Sequence, residues 1–222
     1  MTGATRGRFI TLEGGEGAGK SEQARRLEER LRTLGLGVVR TREPGGSPHA
    51  EELREVVLSG FAAPFGPAGE ALLFAAARID HLDETILPAL ARRAWVICDR
   101  FADSTRVYQG VAGKLDFGFI AALEDIVIGD NRPDLTIILD IPAQAGLERA
   151  HVRRGTKSPD RFEAEGVEFH ETLRRAFLEI AAAEPARCVV VDAGKSEEEV
   201  ASAIWSVVEE RLDPAGAAAQ AS

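Results

Sequence analysis

"LEGGEGAGKSEQ", Leu12 to Gln23, decides how this chain is read. Within it Gly14, Gly19, Lys20 and Ser21 fit G-x-x-x-x-G-K-[ST], the spacing that turns backbone N–H groups inward around phosphate oxygens. Lys20 then reaches the β and γ oxygens, and the Ser21 hydroxyl is a ligand for Mg²⁺. The context agrees, because the apolar run "RFITLE" leads into the loop and the helical pattern "SEQARRLEERLRTLG" leaves it. A dinucleotide fingerprint fails here: Gly15-x-Gly17-x-x puts Lys20 where the third glycine belongs. A carboxylate, Glu16, sits in the middle of this anion-binding loop and calls for its own explanation.

Outward from the loop, short β-branched runs alternate with helical patterns. The strands are expected at Arg8 to Glu13, Val38 to Thr41, Ala94 to Asp99, Leu135 to Asp140 and Cys188 to Asp192. Strands that read as continuous apolar runs between helices imply an α/β fold, a parallel sheet of about five strands with helices on both faces. Helices are expected at Lys20 to Leu34, His49 to Ser59, Gly69 to Leu90, Phe117 to Ile128, Ala143 to Arg153, Asp160 to Ala183 and Ser196 to Arg211. No repeat or linker divides the 222 residues, so a single domain over 1–212 is expected, with a disordered start and a disordered tail over 213–222.

The formal charge of -9 argues against a nucleic-acid partner, whose affinity needs a basic surface. No apolar run is long enough for a membrane span, and "MTGATRGR" has no apolar stretch behind its charges, so the cytoplasm is the expected compartment. Cys98 and Cys188 lie in strand-like runs without metal spacing and are expected to be buried thiols.

Ligands on such sheets bind beyond the carboxyl ends of the strands. There the chain places "REPGGS" (Arg42 to Ser47) and "DRF" (Asp99 to Phe101), the latter with a carboxylate suited to orient Mg²⁺ through water and an arginine suited to a second phosphate. In the helix from Gly69, Leu72, Ala76, Ile79, Ile86 and Leu90 form the expected core stripe. Phe74 falls almost opposite, with Glu70, Arg78, His81 and Thr85, an arrangement suited to a stacked base whose carbonyl meets a guanidinium. Thr105, Tyr108 and Gln109 are expected to share a helical face and to offer polar groups to a nucleoside. "ERAHVRRGTKSPDRFE" gathers Arg149, Arg153, Arg154, Lys157 and Arg161 around a break between helices, the composition of a solvated hinge or of a lid that closes on a triphosphate. A switch GTPase is disfavoured, because its nearest guanine-reading match, "NRPD" (Asn131 to Asp134), lies before its strand.

Taken together from Arg8 to Arg211, these segments resemble the thymidylate kinases, in the branch whose catalytic arginine comes from the lid. "EGGEGAGKS" is similar to the family's phosphate loop, "TREPGGSPHAEELR" to its proline-glycine segment, "LLFAAARIDHL" to its base-stacking helix, "DRFADSTRVYQG" to its DR motif, and "RRGTKSPDRFE" to its lid. The resemblance implies a P-loop nucleoside monophosphate kinase fold with a lid over about 149–162, ATP and dTMP as substrates, Mg²⁺, and a homodimer. It implies that Gly14, Gly15, Glu16, Gly17, Ala18, Gly19, Lys20 and Ser21 hold ATP. Arg54 and Arg100 would hold the dTMP phosphate, Phe74 would stack on thymine and Arg78 would bond its carbonyl. Thr105 and Gln109 would flank the base edge, Tyr108 would crowd the sugar C2′, and Glu43 and Pro44 would shape the acceptor pocket. Ser21 and Asp99 would place the metal, Asp99 through water. Lys20, Glu16 and a lid arginine, Arg153 or Arg154, would be catalytic, with Glu16 facing the dTMP side. Another nucleoside monophosphate kinase, or an ATP-binding regulatory protein without an acceptor pocket, is the alternative.

Overall fold

The computed structural model describes residues 6–156 and 159–221. Five strands form one parallel sheet: β1 (Phe9–Gly14), β2 (Val38–Arg42), β3 (Trp95–Asp99), β4 (Leu135–Asp140) and β5 (Cys188–Asp192), in the order β2-β3-β1-β4-β5. The helices are α1 (Lys20–Thr33), α2 (Pro48–Leu58), α3 (Gly66–His81), α4 (Leu87–Ala91), α5 (Ala102–Thr105), α6 (Phe117–Val127), α7 (Ala143–Arg154), α8 (Val167–Ala183), α9 (Glu197–Leu212) and α10 (Pro214–Ala221).

The central strand β1 is buried along its whole length. On one face Ile10, Leu12, Ile137 and Leu139 pack with Leu27 and Leu31 of α1 and Ile204 and Val208 of α9. On the other, Phe9, Val96 and Cys98 meet Leu82, Ile86 and Leu90, while Ile138 meets Leu173 and Phe177 of α8. Each such side chain contributes roughly 1.5–3 kcal/mol by leaving water, which is why both faces must be covered. Cys98 and Cys188 are buried free thiols, as expected.

The departures from the expected elements have physical causes. The helix expected from Gly69 to Leu90 starts at Gly66 and is interrupted by a π turn, Leu82–Ile86, just before Pro88. Proline has no N–H to continue the ladder, so the turn above it widens. The helix expected from Asp160 begins only at Val167. The Asp160 carboxylate instead accepts the N–H groups of Phe162 and Glu163, each at 2.9 Å, and folds the segment into a turn. The tail after Asp213, expected to be disordered, is the helix α10, with Ala217 and Ala218 packed against the core. Alanine is the best helix former, and that propensity outweighs the small-residue composition taken as a sign of disorder. The start, also expected to be disordered, falls largely outside the described residues.

The core stripe assigned to α3 is also inverted. Leu72 and Ile79 are 53% and 45% exposed, whereas Glu70, Arg78 and His81 on the opposite face are buried. Only Ile86 and Leu90 of the expected stripe lie in the core.

Candidate active site

β1 and β3 lie side by side with Leu12 opposite Asp99, so the loops leaving their carboxyl ends emerge together at the switch point of the sheet. The Arg100 N–H donates to the Leu12 carbonyl at 2.9 Å and fixes the second loop against the first. Gly19 carries the φ of +87° that turns the first loop into α1. Lys20 is buried, and its Nζ donates to the carbonyls of Gly14 at 3.1 Å and Gly15 at 2.7 Å. Burial, with Arg100 nearby, pulls the Lys20 ammonium down to about 8, against the pull of Glu16, Asp99 and Glu13.

The two loops open into one cleft of about 1220 Å³, more than the 300–1,000 Å³ or so that holds a single drug-sized ligand. Its walls include Glu16 through Ser21, Glu43, Pro44, Arg54, Phe74, Arg78, Asp99, Arg100, Thr105, Tyr108, Gln109 and Arg153. Gly14 and Gly15 lie behind the loop as acceptors for Lys20. Of the expected site residues with described positions, Gly14, Gly15 and Arg154 do not line the cleft, nor does Arg161 of the expected lid; Lys157 lies outside the described residues.

Glu16 is not free in its loop. The Arg100 guanidinium pairs with its carboxylate, and the Tyr108 hydroxyl donates to it at 3.3 Å. Burial raises its pKa, but Arg100, Lys20, Arg153 and His170 more than offset this and hold it at about 2. The carboxylate therefore stays charged and anchors Arg100 beside the phosphate loop. Arg100 also donates to the Gly14 carbonyl at 3.2 Å and lies 5.3 Å over the Tyr108 ring, from a backbone with φ of +70°. Such a conformation costs a non-glycine residue about 1–3 kcal/mol. Arg100 is thus tied into a network rather than waiting as a bare cation.

Below it, buried Glu13 accepts the Phe101 N–H at 2.7 Å and the Ser104 hydroxyl at 2.7 Å, clamping the turn that follows β3. Burial and Asp103 push its carboxyl up to about 7 against those bonds and Arg100. Ser21 Oγ donates to Asp99 at 2.5 Å. Among the described residues no group of three or more His, Cys, Asp or Glu could hold a metal ion by itself. A pair of hard oxygen donors fits Mg²⁺, which keeps several waters and takes its other ligands from phosphates.

The opposite end of the cleft is built on Glu43, whose Oε2 accepts Arg78 Nε at 2.8 Å and whose Oε1 lies 3.1 Å from His81 Nδ1. Arg78 also donates to Thr105 at 3.2 Å, and His81 Nε2 lies 2.7 Å from the Thr41 hydroxyl. The peptide bond between Glu43 and Pro44 is cis, and Arg54 donates to the Pro44 carbonyl at 2.6 Å. Phe74 is half-buried, and Gln109 donates to Glu70 at 3.3 Å. This pairing explains the buried polar face of α3, since each charged group there has a partner inside the cleft wall.

The segment that follows α7 supplies residues that the sequence reading passed over. Phe162 packs edge-on to Tyr108 with ring centroids 5.2 Å apart and stands 6.5 Å from Phe74. Glu163 accepts Arg154 at 3.0 Å and Arg153 at 3.4 Å. A lone aromatic inside an arginine-rich break was the available signal for Phe162. For Glu163 no periodicity or motif pointed to the role.

The family model for thymidylate kinase matches residues 12–204. A thymidylate kinase of Bradyrhizobium sp. is 56% identical over 217 residues, spanning 98% of this chain and 96% of that protein. One of Rhodopseudomonas palustris is 56% identical over 219 residues, spanning 98% and 95%. The crystal structure of thymidylate kinase from Ehrlichia chaffeensis superposes with a TM-score of 0.74 at 33% identity, covering 91% of this chain and 99% of that one. With the glycine loop lining one large cleft, and with matches along nearly its whole length, the chain belongs to the thymidylate kinase family.

Proposed function

We propose that the cleft transfers the γ-phosphoryl group of ATP to dTMP by direct in-line displacement, giving ADP and dTDP, within a single catalytic domain over 1–212. The observation that carries this is the junction of the phosphate loop with the pocket of Phe74, Arg78, Thr105 and Gln109. A protein that only sensed ATP needs no second pocket. The acceptor is already an anionic phosphate oxygen, so positioning and charge stabilisation do the chemistry.

In this reading residues 14–21 hold the ATP phosphates, with Lys20 moving from the loop carbonyls onto the transferred group. Arg54 and Arg100 hold the dTMP phosphate, Phe74 stacks on the base, and Arg78 meets its carbonyl beside Thr105 and Gln109. Tyr108 crowds the sugar, and Glu43 and Pro44 shape the pocket floor. Glu16 orients Arg100 and faces the acceptor sugar. Ser21 and Asp99 hold Mg²⁺, which when bound neutralises charge on the phosphates. Of the two candidate fingers, Arg153 is favoured because it lines the cleft and Arg154 does not.

A coupled assay of ADP release with ATP and, in turn, dTMP, dUMP, UMP, GMP and AMP tests the reading. Turnover is expected to be highest with dTMP. A preference for GMP or AMP overturns the substrate, and release independent of any acceptor overturns the reaction.

The exposed stripe of α3 supports a homodimer. α3 packs against α6, which exposes Phe117 and Ile126, 65% and 80%, so two neighbouring helices carry exposed apolar side chains of the kind that marks a protein contact. Replacing both Leu72 and Ile79 by glutamate is expected to convert a dimer into a monomer in light scattering after gel filtration. A wild-type protein that runs as a monomer at micromolar concentration overturns this. The net charge of -9 supports small-molecule partners over nucleic acid. No single described helix is long and apolar enough to cross a membrane, and synthesis of dTTP precursors in the cytoplasm is the setting this reading carries.

A further inference from the structure

The phosphate loop and the lid helix touch at two glycines. A Cβ on Gly17 would overlap the Gly146 carbonyl, 2.7 Å from its carbon, and Gly17 has a φ of +69° besides. Reciprocally, a Cβ on Gly146 would lie well inside 3.0 Å of the Glu16 carbonyl oxygen. Both clashes are with backbone, which cannot swing aside as the end of a side chain can. α7 is therefore seated directly on the loop that holds the transferred phosphate.

Gly146 occupies an early position in the twelve-residue helix α7. Alanine there would favour the helix itself, since glycine is a poor helix former and alanine the best. Local stability thus argues against a glycine at this site, and close approach is what its absence of a side chain provides. Arg153 follows seven residues later, two turns along the same face and about 10 Å down the axis. Between them Arg149 ties the helix to the far wall, donating to the Ala193 carbonyl at 2.8 Å. Arg153 lies near enough to Glu16 to lower its pKa.

We infer that Gly146 is a positioning residue: its contact with the Glu16–Gly17 backbone sets the distance at which α7 presents Arg153 to the transferred phosphoryl group. The inference rests on the reading of Arg153 as the lid arginine.

The test is a double-mutant cycle on the full-length enzyme with ATP, Mg²⁺ and dTMP. Relieving the clash in Gly146→Ala takes a shift of roughly 1 Å, and misplacement of that size costs about 10²-fold in rate. Gly146→Ala is therefore expected to lower kcat about 10²-fold, with KM for both substrates within about threefold of wild type. In an Arg153→Ala background the same change is expected to cost less than about threefold, because the group it positions is gone. An equal loss of kcat in both backgrounds, or near-normal kcat in Gly146→Ala, overturns the inference. Near-normal kcat in Arg153→Ala alone instead overturns the reading beneath it, so the two failures are told apart. Thermal unfolding of Gly146→Ala and Gly146→Ser accompanies the kinetics. Loss of the folded state in both would assign the glycine to packing and overturn the positioning role.

Discussion

Arg153→Ala is expected to lower kcat on the order of 10³-fold while leaving the KM for dTMP within a few-fold of wild type, the loss that removal of an arginine finger brings. The four described lid arginines differ in how they are held. Arg149 is tied to the Ala193 carbonyl, and Arg161 pairs with Glu70 at 2.9 Å while lying 4.8 Å over the Phe162 ring. Arg154 is only 19% exposed and bonds Glu163 at 3.0 Å. Arg153 is 60% exposed, reaches Glu163 only at 3.4 Å, and lines the cleft. An arginine that must move onto a phosphoryl group cannot be committed elsewhere beforehand, and Arg153 gives up least. Arg154→Ala is expected to cost no more than about tenfold, through a looser Glu163 and hence a less ordered lid. Single-turnover rates with saturating ATP and dTMP measure both. A larger loss in Arg154→Ala than in Arg153→Ala would reverse the assignment.

Much of the cleft's lining was legible in the sequence because those residues sit where chain geometry is most constrained. A glycine loop between a strand and a helix admits few readings, and five continuous apolar runs define a sheet covered on both faces. Neither depends on partners far along the chain. What escaped was set by such partners. Periodicity on α3 reports that Leu72 and Ile79 contrast with Glu70 and Arg78, but not which face is turned inward. That was decided by Glu43, which lies 35 residues before Arg78 and neutralises it within the wall of the cleft. The packing of Phe162 against Tyr108 and the joint hold of Glu163 on two arginines likewise join segments only after folding. The turn at Asp160 shows the opposite case, a local signal overridden in the reading by a helical pattern downstream.

The pair of Arg100 and Glu16 offers the second large effect, because both partners are largely buried, each side chain 15% exposed. Arg100→Ala is expected to lower kcat/KM for dTMP by roughly 10³, about 4 kcal/mol, by removing both the proposed ligand of the dTMP phosphate and the group that fixes Glu16. It is also expected to destabilise the fold by about 3–5 kcal/mol, since it leaves a carboxylate buried without its main partner. The double variant Arg100→Ala, Glu16→Gln separates these effects: it should recover much of the stability and little of the dTMP activity. The pH dependence gives an independent sign. In the wild type the depressed pKa of Glu16 contributes stability that is complete above its ordinary value near 4.5 and is lost as the pH falls through 4.5 toward 2. Without Arg100, burial is opposed by Lys20, Arg153, His170 and the Tyr108 hydroxyl but not by its main partner, so the carboxyl takes up its proton at higher pH. The difference in unfolding free energy between wild type and Arg100→Ala should therefore narrow as the pH falls from 7 into the acid range, because protonation discharges the unpaired group in the variant first. Denaturant unfolding at a series of pH values measures it. A difference that stays constant down to the acid limit of folding would mean that Glu16 does not depend on Arg100 for its charge, and the carboxylate in the phosphate loop would need another partner.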